Sequence, residues 1–240
     1  MQRIVMAALL AGALAGCAAF ILQMWQTTPL ILHAEVFETG AAPAAGHSHG
    51  EGQTQAHSHD HGAQAADDGG DLGRHGLSLL ADVVTAIGFG FLLIGAMALS
   101  GRETGWRGGI IWGLCGYAAF YMAPAFGMAP ELPGMVAAEL GERQTWWLST
   151  AAATVVALAL IFFVEGTLWK AVAALLLVVP HAIGAPHQVM EPGNVPAELA
   201  AQFAVASLVV TGLFWMVLGG LGGYFYHRFQ PAACAPNETT

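Results

Sequence analysis

The chain has 240 residues, of which 56% are hydrophobic and 10% are charged. Soluble domains contain about 25% charged residues, so this composition indicates an integral membrane protein. Seven Lys and Arg residues and a net charge of −9 exclude a nucleic-acid-binding protein. The three cysteines, Cys17, Cys115 and Cys234, are far apart and form no CxxC pair, which excludes a disulfide framework and a thiolate metal site.

Apolar runs of about 20 residues predict an all-α fold, a polytopic transmembrane helix bundle. The runs cover residues 4–25, 77–99, 108–128, 147–164, 168–183 and 200–226. The fifth run is short, and only residues 165–167 separate it from the fourth. These two runs form either a tight helical hairpin or one long bent element, so the sequence allows six spans or five.

The placement of basic residues favours six spans, because Lys and Arg are enriched on the cytoplasmic side of membrane proteins. With six spans and both termini in the cytoplasm, most basic residues lie inside, and only Arg74 and Arg143 lie outside. The inside residues are Arg3, Arg102, Arg107, Lys170 and Arg228. We therefore expect a multi-pass protein of the bacterial inner membrane, with most acidic residues and histidines on the outer face.

Four regions follow from this topology. They are a first transmembrane span (1–32), a His-rich acidic extracytoplasmic loop (33–76), a helical membrane domain (77–229) and a short disordered tail (230–240). The alternative for the first region is a lipoprotein signal ending at Cys17, but the apolar run continues to Trp25 and favours an uncleaved anchor. Three GxxxG pairs predict close helix packing: Gly12 with Gly16, Gly109 with Gly113, and Gly219 with Gly223.

The outer loop is predicted to be disordered and contains a cluster of histidines that alternate with small or polar residues. They are His47, His49, His57, His59 and His61, and several aspartates follow them. A flexible backbone can turn several imidazoles toward one Zn, Ni or Co ion, so the pattern favours metal capture. The alternative is a solvated linker without a ligand.

Two ionisable residues inside apolar runs are candidate metal ligands, since such groups are costly in a membrane and usually face a cavity or a partner. Asp82 lies near the outer start of the second span and His181 near the outer end of the fifth. Asp82 has a structural alternative as a first-turn acid that interacts with the helix dipole. The structural alternative for His181 is an interfacial histidine that is hydrogen-bonded to a backbone carbonyl.

The stretch PHAIGAPH, residues 180–187, adds His187, and Glu191 follows it. Two imidazoles and a carboxylate suit Co, Ni or Zn and leave positions open for exchange. Pro180 removes a backbone donor and so frees a carbonyl, which predicts a further ion ligand. Together with Asp82, these residues form the predicted inner site.

Two further outer segments are candidates. Residues 122–134 contain three prolines and Glu131, and they form either a gate or a plain rigid connector. His33 and Glu35 follow the first span, where they are positioned to pass ions from the loop inward.

At these residues the chain resembles the CbtA family of predicted cobalt transporter subunits. The matching stretches are PAFGMAPELPG (residues 124–134), ERQTWW (142–147), PHAIGAPH and the anchor with its histidine-containing outer segment. The resemblance implies five spans and a cobalt-uptake permease component linked to cobalamin biosynthesis. It also implies a partner, a small single-span, His-bearing subunit of the CbtB type.

We hypothesise that the outer loop concentrates divalent ions and that the inner site passes them across the membrane. Binding requires neutral imidazoles, so we expect it to weaken below about pH 6. The metal is the transported ion, and we expect no prosthetic group. The sequence contains no phosphate loop and no HExxH or GxSxG motif, which argues against an ATPase and against an enzyme. Nickel or zinc transport, export, a metalloenzyme and a non-transporting metal-sensing subunit stay as alternatives.

Overall fold

The computed structural model describes residues 1–39, 68–186 and 194–230. Every regular element within those ranges is helical, which confirms the all-α fold class. The helices are α1 (Gln2–Gln26), α2 (Thr28–Thr39), α3 (Asp68–Leu99), α4 (Trp106–Tyr117), α5 (Ala123–Ala125), α6 (Leu140–Phe163), α7 (Thr167–Ile183) and α8 (Ala197–Arg228). A π-helical segment, Ala118–Met122, joins α4 to α5.

Within the described residues, four helical stretches are long and apolar enough to cross a membrane. They are Gln2–Gln26, Gly73–Leu99, Leu140–Phe163 and Ala197–Arg228. Two of the six predicted spans are therefore not confirmed. The predicted span 168–183 corresponds to α7, which has only 17 residues. The predicted span 108–128 is divided by the π-helical segment, although helical structure continues from Trp106 to Ala125 without a break.

Helical structure enters the predicted outer loop from both sides. Residues 33–39 belong to α2 and residues 68–76 belong to α3. The sequence predicted disorder for these two stretches, but both are helical. The helix α2 is ordered because its apolar residues pack against the rest of the protein. Ala34 is fully buried in a small cluster with Leu132 and Leu199. The remainder of the predicted loop, residues 40–67, lies outside the described residues.

Glycines bring α1 and α3 into close antiparallel contact. A Cβ atom added to Gly12 would lie 2.5 Å from the Cα of Ile87, and one added to Gly16 would lie 2.6 Å from the Cα of Val83. Such distances leave no room for a side chain, so the two backbones approach directly. Residue numbers rise along α1 as they fall along α3, so the helices run in opposite directions.

The same arrangement joins α4 to α8. A Cβ atom on Gly109 or Gly113 would collide with the backbone of α8 at Gly219 and Trp215, respectively. A Cβ atom on Gly223 would lie 2.5 Å from the carbonyl oxygen of Gly105. All three predicted GxxxG pairs therefore lie at helix contacts, as expected for close packing in a membrane bundle.

The main core lies among α1, α3, α4 and α8. Its buried residues include Ala7, Ala8, Ala11, Ala15, Ile94, Met97, Tyr117, Trp215 and Leu218. Four alanines on one face of α1 let the large side chains of α3 and α8 approach its backbone. This core fixes the positions of the helix ends.

One end of the bundle, here called the basic end, contains Arg3, Arg102, Arg107, Lys170 and Arg228. The guanidinium of Arg3 lies 5.4 Å from the centroid of the Tyr226 ring, so the start of α1 meets the end of α8. The guanidinium of Arg102 lies 4.9 Å from the centroid of the Phe163 ring, so the α3–α4 turn meets the end of α6. The opposite end, here called the acidic end, contains Glu131, Glu139, Glu142 and Glu198.

Candidate functional site

Three segments meet at the indole of Trp146, on the first turns of α6 at the acidic end. The side chain is only 8% exposed. A Cβ atom added to Gly127 would lie 2.6 Å from Cζ2 of this ring and 3.0 Å from Cβ of Ala185. The chain therefore needs glycine at 127 for close contact with the ring. Trp146 brings together the stretches PAFGMAPELPG, ERQTWW and PHAIGAPH, of which the last is distant in sequence from the other two.

The indole also fixes the end of α7. Nε1–H of Trp146 donates to the carbonyl oxygen of Pro180 at 3.3 Å, and this contact is buried. The N–H of Gly184 donates to the same oxygen at 3.1 Å. Gly184 has φ 90°, a left-handed conformation that glycine adopts without a steric penalty, and the helix ends there. The carbonyl oxygen of Pro180 thus accepts two hydrogen bonds, one from Gly184 at the end of α7 and one from Trp146 of α6.

The carbonyl that Pro180 frees lies within α7. Pro180 lacks an N–H, so the carbonyl that loses its helical donor is that of Leu176, four residues earlier. The carbonyl of Pro180 itself is occupied by Trp146 and Gly184.

His181 follows directly and lies on the exposed side of α7. The centroid of its ring lies 5.9 Å from that of Trp146 and 6.3 Å from that of Phe126, with edge-to-face geometry in both cases. Aromatic rings prefer this geometry to a face-to-face sandwich. The imidazole is therefore held on one side by two aromatic rings and is accessible on the other.

The Pro-rich segment, residues 122–134, is joined to α6 by an ion pair. Nη2 of Arg143 donates to Oε2 of Glu131 at 2.8 Å, and both side chains are about one third exposed. Leu132, the next residue, is buried beneath α2 and the start of α8. Glu131, predicted as the one hard donor of a gate, is therefore neutralised by Arg143 and serves to hold the segment in place.

Glu139 caps the N-terminus of α6. Its carboxylate accepts a hydrogen bond from the N–H of Glu142 at 2.9 Å. Backbone hydrogen bonds from Gly141 and Glu142 favour the charged form and hold the pKa of Glu139 below its usual range. The cap fixes the start of the helix that presents Arg143 and Trp146.

Asp82 lies in α3 where that helix packs against α1. Nε2 of Gln23 donates to its Oδ1 at 3.1 Å. Its other oxygen, Oδ2, is buried and has no hydrogen-bond partner among the described residues. Asp82 is thus a carboxyl group at membrane depth whose described partner is a neutral amide. Ionisable groups inside a membrane are energetically costly, so Asp82 is a candidate functional residue.

The structure does not bring Asp82 and His181 together. Among the described helices α7 packs against α6 alone, whereas α3 packs against α1, α4 and α8. The expected single constellation of Asp82 with PHAIGAPH is therefore not observed within the described residues. Two separate positions take its place, one in the α1–α3 contact and one at the junction of α6 and α7.

His33 and Glu35 lie on α2, over the acidic end. His33 is exposed, and its ring centroid lies 5.8 Å from that of Phe37. Glu35 is half-buried on the same helix. They occupy the predicted position after the first span, on a helix instead of a loop.

Seven predicted ligands lie outside the described residues: His47, His49, His57, His59, His61, His187 and Glu191. Within the parts of the chain that the structure describes, no group of three or more His, Cys, Asp or Glu residues is arranged to hold a metal ion. His181 is separated from His187 by only five residues, Ala182–Pro186, of which all are described.

Sequence reasoning did not single out Trp146, Gly127 or Gln23 as site residues. The available signals were weak. Paired tryptophans at the start of a span are common at membrane interfaces, and Gly127 is one of 31 glycines. Only the three-dimensional meeting of distant segments distinguishes these residues.

A family model described as "Probable cobalt transporter subunit (CbtA)" matches residues 1–227 of the chain, which is nearly its whole length. No curated protein and no solved structure matches it. The family is one of transporter subunits, in agreement with the interpretation of the chain as a non-enzyme with apolar membrane helices.

Proposed function

We propose, on the premise that this chain belongs to the CbtA family of probable cobalt transporter subunits, that it admits Co²⁺ through the acidic end of the bundle. The observation that supports this most directly is the meeting of three segments at Trp146, beside the accessible imidazole of His181. In the sequence, His187 lies six residues after His181, and Glu191 lies four residues after His187. Two imidazoles and one carboxylate suit Co²⁺ and leave sites open for release.

The topology that we propose has six crossings with alternating directions. The unbroken helical run from Trp106 to Ala125 has the length of a span, and α7 crosses beside α6 with help from flanking residues. The basic end faces the cytoplasm, following the bias of Lys and Arg. Both termini then lie in the cytoplasm of a bacterial cell and the acidic end faces outward.

The acidic outer face attracts divalent cations before they reach His181. The five loop histidines, His47 to His61, raise the local metal concentration, and His33 and Glu35 on α2 lie between the first span and that loop in the sequence. Asp82, with Gln23, forms a second position on the route. An inside-negative potential supplies about 2.3 kcal/mol per elementary charge per 100 mV, which favours entry of a doubly charged ion.

The partner that we propose is the small single-span, His-bearing subunit of the CbtB type, and the physiological role is supply of cobalt for cobalamin biosynthesis. Nickel and zinc are the competing ions, because imidazole and carboxylate ligands accept all three.

Uptake of labelled Co²⁺ into vesicles that contain the purified protein tests the proposal. We expect His181→Ala to abolish most uptake at every metal concentration. Deletion of residues 46–62 is expected to lower uptake only when metal is scarce, since the loop concentrates ions without forming the route. His227→Gln is the matched control, because His227 is an exposed histidine at the basic end. Full uptake by both the His181 variant and the deletion variant would overturn the proposal.

A second function is compatible with the five histidines between residues 47 and 61, which can bind metal whether or not the chain transports it. A metal-capturing accessory subunit needs no complete internal site and would deliver Co²⁺ to a separate permease. Metal binding by the purified protein without vesicle flux would select this function.

A further inference from the structure

We infer that Trp146 is a positioning residue for His181, and that its indole sets the metal affinity of that imidazole without touching the ion. The inference rests on the proposed function, since it assigns a role toward the ligand named there. It adds a residue that acts through two contacts, a hydrogen bond to the backbone and an edge-to-face ring contact.

The first contact controls the backbone that bears His181. Pro180 cannot donate a hydrogen bond to Leu176, so α7 lacks one helical bond in the turn that leads into its last turn. The bond from Nε1 of Trp146 to Pro180 O replaces that restraint from outside the helix. Because His181 is the next residue, its Cα is fixed relative to α6 and not only relative to α7.

The second contact controls the ring itself. His181 lies on the exposed side of α7, where an unrestrained imidazole would sample several rotamers. The rings of Trp146 and Phe126 contact it edge-to-face, with interplanar angles of 68° and 87°. Metal ligands normally obtain their orientation from a hydrogen bond to the second ring nitrogen. Here two aromatic rings restrict the imidazole.

The side chain of Trp146 is itself held in one position by its surroundings. It is 8% exposed, and Gly127 provides the space that its ring occupies. A fixed indole is a suitable restraint because it has only two rotatable side-chain bonds and little entropy to lose. The restraint therefore extends from the Pro-rich segment through Trp146 to His181.

The test is Co²⁺ binding in nanodiscs, measured by titration calorimetry and by the visible absorption of bound Co²⁺. Residues 46–62 are deleted in every variant, so that the loop histidines do not contribute to the Kd. Trp146→Phe keeps an aromatic ring and removes the N–H donor. We expect its Kd to rise about 10- to 100-fold, the usual effect of losing an outer partner of a metal ligand. Trp147→Phe is the matched control, since Trp147 is the neighbouring tryptophan and contacts Phe120 instead. Its Kd should change less than twofold.

A double-mutant cycle with His181→Ala separates positioning from a general effect on folding. If Trp146 acts through His181, Trp146→Phe will change neither the Kd nor the Co²⁺ absorption spectrum further once His181 is absent. An equal loss of affinity in both backgrounds would overturn the inference. If Trp146→Phe does not fold, Gly127→Ala serves instead, because its Cβ displaces the indole while the indole N–H is retained. We expect the same rise in Kd, and an unchanged Kd would again overturn the inference.

The outcomes distinguish this inference from the proposed function. If His181→Ala leaves the Kd for Co²⁺ unchanged, the role of His181 as a ligand is wrong. If His181→Ala raises the Kd and Trp146→Phe does not, His181 is a ligand and the positioning role of Trp146 is wrong.

Discussion

Arg143 and Glu131 form a salt bridge of 2.8 Å that joins the first turn of α6 to the Pro-rich segment after α5. The two residues belong to the stretches ERQTWW and PAFGMAPELPG, so the pair connects two of the three segments that meet at Trp146. Prolines limit the conformations of the segment, and the ion pair selects one of them. Leu132 then reaches its buried position beneath α2.

This pair is expected to contribute modestly to stability. Both side chains are about one third exposed, and exposed ion pairs typically contribute about 0.2–1 kcal/mol. A double-mutant cycle with Glu131→Gln and Arg143→Gln, measured by thermal unfolding in detergent, should give a coupling energy in that range. Raising the salt concentration should reduce it, because exposed charges are screened. A coupling energy that is independent of salt would show that the pair is held by something other than charge.

The glycine contacts between α4 and α8 give a second prediction, for stability. Gly113→Ala places a methyl group against the backbone of α8 at Trp215. We expect the free energy of unfolding to fall by about 1–3 kcal/mol, as for other overpacked sites. Gly88→Ala is the control, because nothing lies within 4 Å of a Cβ at that helical position.

Alanine has the higher helix propensity, so the control variant should be as stable as the wild type or slightly more so. Chemical or thermal unfolding in one detergent compares the three proteins. Equal stability of Gly113→Ala and Gly88→Ala would mean that α4 and α8 are not in direct backbone contact.

The fold class and the glycine contacts could be predicted from sequence because both depend on local patterns. Apolar length indicates spans, and GxxxG spacing places two glycines on one helix face. The order of residues 28–39 could not be predicted in this way. This short stretch is helical because Ala34 packs against Leu132 and Leu199, which are about 100 residues or more away.

The candidate site was predictable only in part. His181 and Asp82 were recognised because ionisable residues in apolar runs are conspicuous. Their separation was not foreseeable, since similar depth in two spans does not reveal which helices are neighbours. Trp146 was not recognised because its role depends on a hydrogen bond to a residue 34 positions away.

Glu139 gives a prediction about pH. Its folded pKa lies below its usual value because two backbone N–H groups bond to the charged form. A depressed folded pKa stabilises the protein above the unfolded pKa, and that stability is lost as the pH falls through the folded pKa. Glu139→Gln should therefore lower the melting temperature at neutral pH. The difference from wild type should narrow progressively below about pH 4.3, the pKa of a free glutamate. A difference that is constant between pH 7 and pH 3 would contradict a charge-dependent cap.

Asp82 and Gln23 give a prediction about transport. If the carboxylate is a position on the cation route, Asp82→Asn removes the charge with nearly the same shape and should lower Co²⁺ uptake about 10-fold or more. Gln23→Leu removes the donor that orients Oδ1, and outer-partner losses typically cost 10- to 100-fold in affinity or activity. If Asp82 instead only stabilises the contact between α1 and α3, Asp82→Asn will keep full uptake. Vesicle uptake normalised to folded protein, with the melting temperature of each variant as the control, decides between the two roles.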